Sequence, residues 1–236
     1  WAKYDDQVEI TDFDFLFKAP DEPVEQRIDL PEALVSLTAK TPPATSWAAQ
    51  RYLTKRGITK DDIFKWKIGY CAEGEYAGRI VVPSFNSSGY ANYFIARSYG
   101  YDWPRYKNPP ASRDIIFNEL YVNWDEDIVI VEGVFDAIKA GNAIPLLGST
   151  LRENSALFQA IVKGGNRVFL ALDEDASKKT RSISRLLLKY GIETYEIDTS
   201  GVEDVGDMSK EEFQVRKSKA SFIEKDNYLL QRLSAI

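Results

Sequence analysis

The stretch 128-IVIVEGVFDAIKAGNAIPLLGS-149 decides the fold, because an apolar run ends in an acid and a glycine before a helical segment and a second apolar run. A helical segment (152–163) follows, then the apolar run RVFLALDED (167–175), a third helical segment (177–190) and IETYEID (192–198). Strands that alternate with helices indicate right-handed crossovers and a parallel sheet. Continuous apolar runs are typical of strands covered on both faces.

The rest of the chain has a different pattern. Two strand-like runs, RIVVPSF (79–85) and YANYFIARSY (90–99), flank a turn, and helices are predicted over 47–56 and 60–66. We therefore predict the α/β class, with an α+β N-terminal subdomain before a mainly parallel sheet flanked by helices and a helical C-terminal tail. The predicted segments are an acidic arm (1–40), a basic N-terminal subdomain (41–126), a metal-binding domain (127–208) and the tail (209–236).

Composition excludes several classes of protein. The 236 residues include one cysteine, Cys71, and no histidine. A disulfide scaffold, a zinc site of Cys and His, and a catalytic histidine are all excluded. No apolar run approaches the roughly 18 residues of a membrane span, and no signal peptide is visible. We expect a cytoplasmic protein with no membrane partner and a buried Cys71.

Charge is distributed unevenly along the chain. Residues 41–124 carry 11 basic and 7 acidic groups, and residues 125–208 carry 9 basic and 15 acidic groups. The excess of basic groups in the first segment suits phosphate binding, and the excess of acidic groups in the second suits the binding of divalent cations. Chance clustering on solvated faces is the alternative.

Five acids follow the predicted strands at the edge where ligands bind in such sheets. Glu132 ends the first strand, Asp173 and Asp175 end the third, and Asp204 and Asp207 follow the fourth. Carboxylates that converge repel one another unless cations neutralise them. Mg²⁺ binds carboxylate and phosphate oxygens, and two such ions can serve an in-line phosphoryl displacement.

Helix capping is the competing interpretation for any one of these acids, because Asp and Glu stabilise helix N-termini. Asp136, four residues after Glu132, fits either support of the site or a plain helix surface.

The basic segment interleaves cations with aromatic residues. Cations bind phosphates and aromatic rings stack on unpaired bases, although core aromatics and solvated arginines explain the same pattern. The residues are Arg79, Arg97, Arg105, Lys107 and Arg113 with Tyr93, Phe94, Tyr99, Tyr101, Trp103 and Tyr106. We expect Trp47, Trp66 and Trp124 to pack in the interior rather than stack on bases.

The motifs IVIVEGVFDAIKA, VFLALDEDAS and EDVGDMS resemble, in order, the three acidic motifs of the Toprim domain. Upstream, QRYLTKRGITKDDIFKWKIGY (50–70), AGRIVVPSFNSSGYANYFIARSY (77–99) and PRYKNPPASRDIIFNEL (104–120) resemble the DnaG-type primase catalytic core. The resemblance is colinear over 47–208, and the chain looks most like the primase subunit of T-even-type bacteriophages.

The resemblance implies a DNA primase core that makes RNA primers from ribonucleoside triphosphates on single-stranded DNA, with Mg²⁺ or Mn²⁺. It implies catalytic roles for Glu132, Asp173 and Asp175, and metal binding by these three with Asp204 and Asp207. Nucleotide and template binding falls to Arg79, Arg97, Arg105, Tyr106, Lys107 and Asn108. A ring helicase partner is also implied, and zinc is expected in a module that precedes this segment.

The match has departures. Arg105 stands where the family usually has Lys, Lys107 where Leu is usual, and Val205 where Pro is common, which makes Asp207 less certain than Asp204 as a ligand. A Toprim-type metal-dependent nuclease and a non-catalytic module that binds single strands or a helicase are the alternatives.

Overall fold

The computed structural model describes residues 25–101, 103–173, 176–202 and 204–224. Within them, the N-terminal part forms an antiparallel sheet in the order β1-β2-β3-β4. Its strands are β1 (Leu34–Ser36), β2 (Gly69–Cys71), β3 (Arg79–Phe85) and β4 (Ala91–Ser98). The predicted hairpin is confirmed, and the two long strands pair from Arg79↔Ser98 to Phe85↔Ala91.

The acidic arm predicted over residues 1–40 differs from the structure at its C-terminal end, because β1 lies within that range and pairs with β2. The physical reason is apolar packing. Ile28, Leu30 and Leu34 pack against the small core cluster that contains Cys71, and Gly69 makes room for Leu34, whose Cδ1 would lie 2.6 Å from a Cβ at that position. Residues 1–24 of the arm lie outside the described residues.

The second sheet is mainly parallel, as predicted. Among the described residues its order is β6-β5-β7-β8-β9, and the first four of these strands run parallel. The strands are β5 (Ile128–Val131), β6 (Ala143–Pro145), β7 (Val168–Ala171), β8 (Thr194–Glu196) and β9 (Ser221–Phe222). Every residue of β5 and β7 is buried, which explains their unbroken apolar sequence.

Helices connect and cover these strands close to the predicted positions. They are α1 (Trp47–Lys55), α2 (Lys60–Lys65), α3 (Val134–Ala140), α4 (Ala156–Gly164), α5 (Ser177–Lys189) and α6 (Lys210–Ser218). Local chemistry fixes their ends: Thr59 and Asp62 form a reciprocal capping box at the start of α2. Gly165 ends α4 in the left-handed conformation, at φ 65°. None of the helices in the described part of the chain is long and apolar enough to cross a bilayer.

Helix α3 lies at the centre of the molecule, since all seven of its residues are buried. One hydrophobic cluster joins side chains of the first sheet, such as Ile80, with Val129 of β5 and Phe135 of α3. Lys139, also buried, donates from Nζ to the carbonyl oxygen of Gly57 at 2.9 Å. The two halves of the chain therefore share one core. This core supports the residues on both sides of a cleft between the halves.

The helical prediction for residues 209–236 is confirmed over α6 and is wrong for Ser221–Phe222. Helix α6 ends at Ser218, and Ser221–Phe222 form β9, which pairs antiparallel with β8. Phe222 packs on Tyr195 with ring centroids 5.3 Å apart, so the added strand covers an apolar position at the sheet edge. Residues 225–236 lie outside the described residues.

Candidate active site

Four carboxylates of the described residues line one cleft between the two halves of the chain: Glu132, Asp173 and Asp204 from separate loops, and Asp136 from α3. Glu132 directly follows β5, Asp173 follows the end of β7, and Asp204 precedes the short 3-10 helix Val205–Asp207. Strands β5 and β7 are parallel neighbours, so their carboxyl ends bring the first two acids to the same edge. We call this the carboxylate cleft; its volume is about 480 Å³.

The structure describes only one of the other two predicted acids. Asp207 is exposed and does not line the cleft. Asp175 lies outside the described residues, so its role stays a prediction.

Asp136 ties together the two loops that carry Glu132 and Asp204. Its Oδ2 accepts the backbone N–H of Gly133 at 2.8 Å, and its Oδ1 accepts the backbone N–H of Gly206 at 2.9 Å. Burial, followed by the charge of Asp204, raises the pKa of Asp136 to about 7. Of the two roles that the sequence leaves open, support of the site is therefore the one the structure favours.

Gly206 allows the carboxylates to come this close. A Cβ at this position would lie 2.8 Å from Oδ1 of Asp204 and 2.9 Å from Oδ1 of Asp136, nearer than real contacts allow. The glycine of the EDVGDMS motif thus has a packing role, because any side chain would push the acids apart.

Two carboxylate oxygens in the cleft are candidates for cation binding. Among the described residues, Oε1 of Glu132 and Oδ1 of Asp204 are buried without a hydrogen-bond partner. Such oxygens are costly unless a cation or water satisfies them. The second oxygen of Glu132 accepts from Nζ of Lys179 at 3.0 Å, so one cation already faces this acid.

A complete metal site does not follow from the described residues alone. No three of their Cys, Asp or Glu side chains lie close enough together to hold an ion. The donor set nevertheless fits a hard divalent cation, because it consists of carboxylate oxygens, and Asp175 is predicted to stand beside it.

Four arginines also line the carboxylate cleft, together with Tyr106 and Asn108, and we call these arginines the arginine wall. Arg97 donates to the Tyr106 hydroxyl, and its guanidinium lies 5.0 Å from that ring centroid and 5.5 Å from the ring of Phe135. Stacking of this kind leaves part of a guanidinium free to bind phosphate oxygens. Asn108 is held in place, because its Oδ1 accepts the backbone N–H of Ala96 at 3.3 Å.

Two predicted phosphate ligands do not line this cleft. Arg79 is buried, and its Nη1 donates to the carbonyl oxygen of Arg105 at 3.3 Å, so it braces the segment that carries Arg105. Lys107 donates to the backbone of Glu75 at 3.0 Å and pairs with its carboxylate at 3.2 Å. Only Arg97, Arg105, Tyr106 and Asn108 of the predicted set line the cleft in the described structure.

Two further arginines, Arg56 and Arg113, line the carboxylate cleft but are absent from the predicted binding set. Arg56 follows α1, and its guanidinium lies 5.1 Å from the ring centroid of Phe135. Burial alone would lower the pKa of Arg56, but Tyr52 and Asp204 raise it above its ordinary value. Arg113 donates to the carbonyl oxygen of Leu147 at 3.3 Å. The sequence places Arg113 only in the general basic segment. The signal for Arg56 was its place in the RGI phrase after a helix.

Comparison with known proteins agrees with this geometry. The chain is 27% identical to the DNA primase of Thermotoga maritima, over 70% of this chain and 37% of that protein. It therefore spans little more than a third of that relative's length. No protein-family model matches the sequence.

Solved structures identify the architecture. A DnaG primase catalytic domain bound to ssDNA superposes with a TM-score of 0.65 at 19% identity, covering 76% of this chain and 74% of that one. The chain has the fold of the DnaG catalytic core. A DNA primase domain from Pseudomonas aeruginosa gives 0.64 at 21% identity, covering 82% and 77% of the two chains. The Aquifex aeolicus primase, with its zinc-binding and RNA polymerase domains, also gives 0.64 at 21% identity, covering 75% and 57%.

Proposed function

We propose that this chain is the catalytic core of a DNA primase, which joins ribonucleotides into a short primer on single-stranded DNA. The observation that carries the proposal is the carboxylate cleft: acids from three separate loops share its lining with four arginines on a primase-core fold. Phosphoryl transfer needs both kinds of group, because it is catalysed mainly by positioning and charge stabilisation.

The acidic wall is the place for divalent cations. Glu132, Asp173 and Asp204, with Asp175 by prediction, would hold Mg²⁺ or Mn²⁺. The ions would neutralise phosphate charge and hold oxygens in line for displacement. Asp136, which also lines the cleft, keeps the Glu132 and Asp204 loops at a fixed separation through its two backbone hydrogen bonds.

The basic wall is the place for phosphates. Arg97, Arg105 and Arg113, with Arg56 at the edge of the acids, would bind the triphosphate and the template backbone. In the reaction, the 3′-oxygen of the primer forms a bond to the α-phosphorus of the incoming triphosphate, while the bond from that phosphorus to the α,β-bridging oxygen breaks. Pyrophosphate leaves, and the hydroxyl proton passes to solvent.

The finer assignment rests on sequence motifs. The three acidic motifs support a Toprim-type metal domain, and the colinear upstream match supports a DnaG-type primase core. The DVGDMS ending of the third motif supports a primase of the kind found in T-even-type bacteriophages. A ring helicase partner is part of the same proposal, through the resemblance alone.

The test is extension of an RNA primer annealed to a DNA template. Labelled ribonucleotides are supplied with Mg²⁺ or Mn²⁺ to the unmodified chain, to Asp173→Ala and to Asp125→Ala. Asp125 is an exposed acid before β5 and is absent from the cleft lining, so it controls for the loss of one charge. Thermal unfolding confirms that both variants are folded.

We expect template-directed extension that Asp173→Ala abolishes and Asp125→Ala preserves. Extension that survives in Asp173→Ala would refute the role of the carboxylate. Metal-dependent cleavage of the DNA without incorporation would identify a nuclease. The absence of both activities would contradict the polymerase proposal.

A further inference from the structure

A second cleft lies beside the first, on the outer face of α1. Trp47, Arg51 and Lys55 are spaced four residues apart and are all exposed, so they share one face of the helix. The segment after β4, including Tyr101, faces them across a space of about 870 Å³. We call this the aromatic–basic cleft.

The structure corrects the expectation that Trp47 packs in the interior. Its side chain is 73% exposed, and Tyr101 is fully exposed. The inward face of α1 is formed by Ala49 and Leu53, which are completely buried. Trp47 precedes Ala49 by two positions, which is about 200° around an α-helix, so it points outward.

We propose that the aromatic–basic cleft binds a single-stranded nucleic acid, with unpaired bases stacked on Trp47 and Tyr101 and phosphates bound by Arg51 and Lys55. The identity of that strand as the template rests on the proposed function, whereas binding itself does not. The aromatic–basic cleft would hold part of the strand away from the carboxylate cleft and would take no part in the chemistry.

The chemistry of the lining selects this ligand. Exposed aromatic surface is costly to leave in water and marks a binding site when it is grouped. Here two exposed rings stand with two cations, and the described residues that line the cleft include no carboxylate. Such a surface complements a ligand in which flat rings alternate with negative charges. Single-stranded nucleic acid has both.

The two clefts are neighbours on either side of Tyr52. Its ring lines the aromatic–basic cleft. The guanidinium groups of Arg56 and Arg97, which line the carboxylate cleft, lie 5.6 and 5.8 Å from the centroid of that ring. A strand bound by the stacking residues would therefore lie next to the arginines of the carboxylate cleft.

The first experiment measures binding of a labelled single-stranded oligodeoxythymidine by fluorescence anisotropy. The test variant is Trp47→Ala/Tyr101→Ala. Loss of one base stack weakens binding about 5- to 150-fold, so we expect at least about a tenfold loss for the double variant. Both side chains are exposed, so the thermal midpoint should not change.

The matched control is Phe64→Ala, which removes an aromatic side chain that is 63% exposed and has Nζ of Lys67 4.3 Å from its ring centroid. Phe64 lies outside the aromatic–basic cleft and should not alter binding. A blunt DNA duplex is a second control, since its bases cannot reach the rings and the double variant should bind it unchanged.

The second experiment tests the cations through salt dependence. Arg51→Ala/Lys55→Ala should reduce the slope of log affinity against log salt by about 1.4, the value for two single-strand phosphate contacts. Lys60→Ala/Lys65→Ala removes the same charge from α2 and should reduce the slope less.

The outcomes separate this proposal from the proposed function. Unchanged oligonucleotide binding in Trp47→Ala/Tyr101→Ala would overturn the cleft as a strand-binding site, even if primer extension by the unmodified chain is normal. Weakened binding in that variant would support the cleft, even if the unmodified chain incorporates no ribonucleotide. Equal weakening by Phe64→Ala would show non-specific adhesion to aromatic surface and would also overturn the proposal.

Discussion

Replacing Gly206 with alanine is the most informative single change, because it adds one carbon atom between two acids. The new Cβ would lie 2.8 Å from Asp204 Oδ1 and 2.9 Å from Asp136 Oδ1, with Arg56 Nη1 at 3.5 Å. Asp136 cannot retreat freely, since the same oxygen accepts the Gly206 N–H at 2.9 Å. Both carboxylates must therefore shift, by on the order of half an ångström, to restore ordinary contact distances.

The expected magnitude combines two effects on folding. Overpacking destabilises the folded chain by about 1–3 kcal/mol. Replacing glycine by alanine stabilises it by about 0.4–1 kcal/mol, because alanine lowers the conformational entropy of the unfolded chain. Gly206→Ala should thus lower the free energy of unfolding by about 1–2 kcal/mol. For a chain of this size, that is a fall of about 2–8 °C in thermal midpoint. Displacement of Asp204 should also slow primer extension by about tenfold or more, because reacting groups tolerate little misplacement.

Gly133→Ala provides a graded comparison. A Cβ there meets one oxygen, Asp136 Oδ2, at 3.1 Å, so both effects should be smaller. Midpoints are measured by calorimetry, and extension is measured well below them, so that both variants are folded. If Gly206→Ala has the same thermal midpoint and the same extension rate as the unmodified chain, Asp136 and Asp204 do not approach Gly206 as closely as described.

Two further predictions concern contacts that support the site. Burial alone would raise the pKa of Asp62, but hydrogen bonds from Lys210 and Thr59 lower it, so its stabilisation is present above about pH 4 and is lost as pH falls further. Asp62→Asn should therefore cost about 1–3 kcal/mol at pH 7 and flatten the acid limb of a stability–pH curve from chemical denaturation. A variant as acid-sensitive as the unmodified chain would contradict this. Lys139→Met removes the hydrogen bond to Gly57 and should cost about 1 kcal/mol in the same assay; no loss would show that the bond is not formed.

Much of the α/β fold could be predicted because its strands and helices have strong local signals. The apolar run of β5 is buried on both faces, and the Ser155 hydroxyl accepts the N–H of Phe158 at the start of α4. Convergence of Glu132 and Asp173 follows from topology, since neighbouring parallel strands end at one edge.

Other features depend on packing between distant segments and have no local signal. Arg56 reaches the cleft because the turn after α1 packs against α3, where Lys139 binds the backbone of Gly57. Arg79 points elsewhere because successive side chains of β3 alternate between the two faces of the sheet, and Lys107 points elsewhere because it pairs with Glu75. The prediction for Trp47 is wrong because Ala49 and Leu53, not Trp47, form the buried face of α1.

Binding of Mn²⁺ tests the central claim, that acids from separate loops form one cation site, most directly. Electron paramagnetic resonance of free Mn²⁺ gives the dissociation constant for the unmodified chain, Asp204→Asn and Asp207→Asn. Asp204 lines the carboxylate cleft, whereas Asp207 is an exposed acid three residues away, so the pair differs in position and not in charge. We predict that Asp204→Asn weakens binding by about tenfold or more and that Asp207→Asn leaves it nearly unchanged. Unchanged affinity in Asp204→Asn, or an equal loss in Asp207→Asn, would contradict the site.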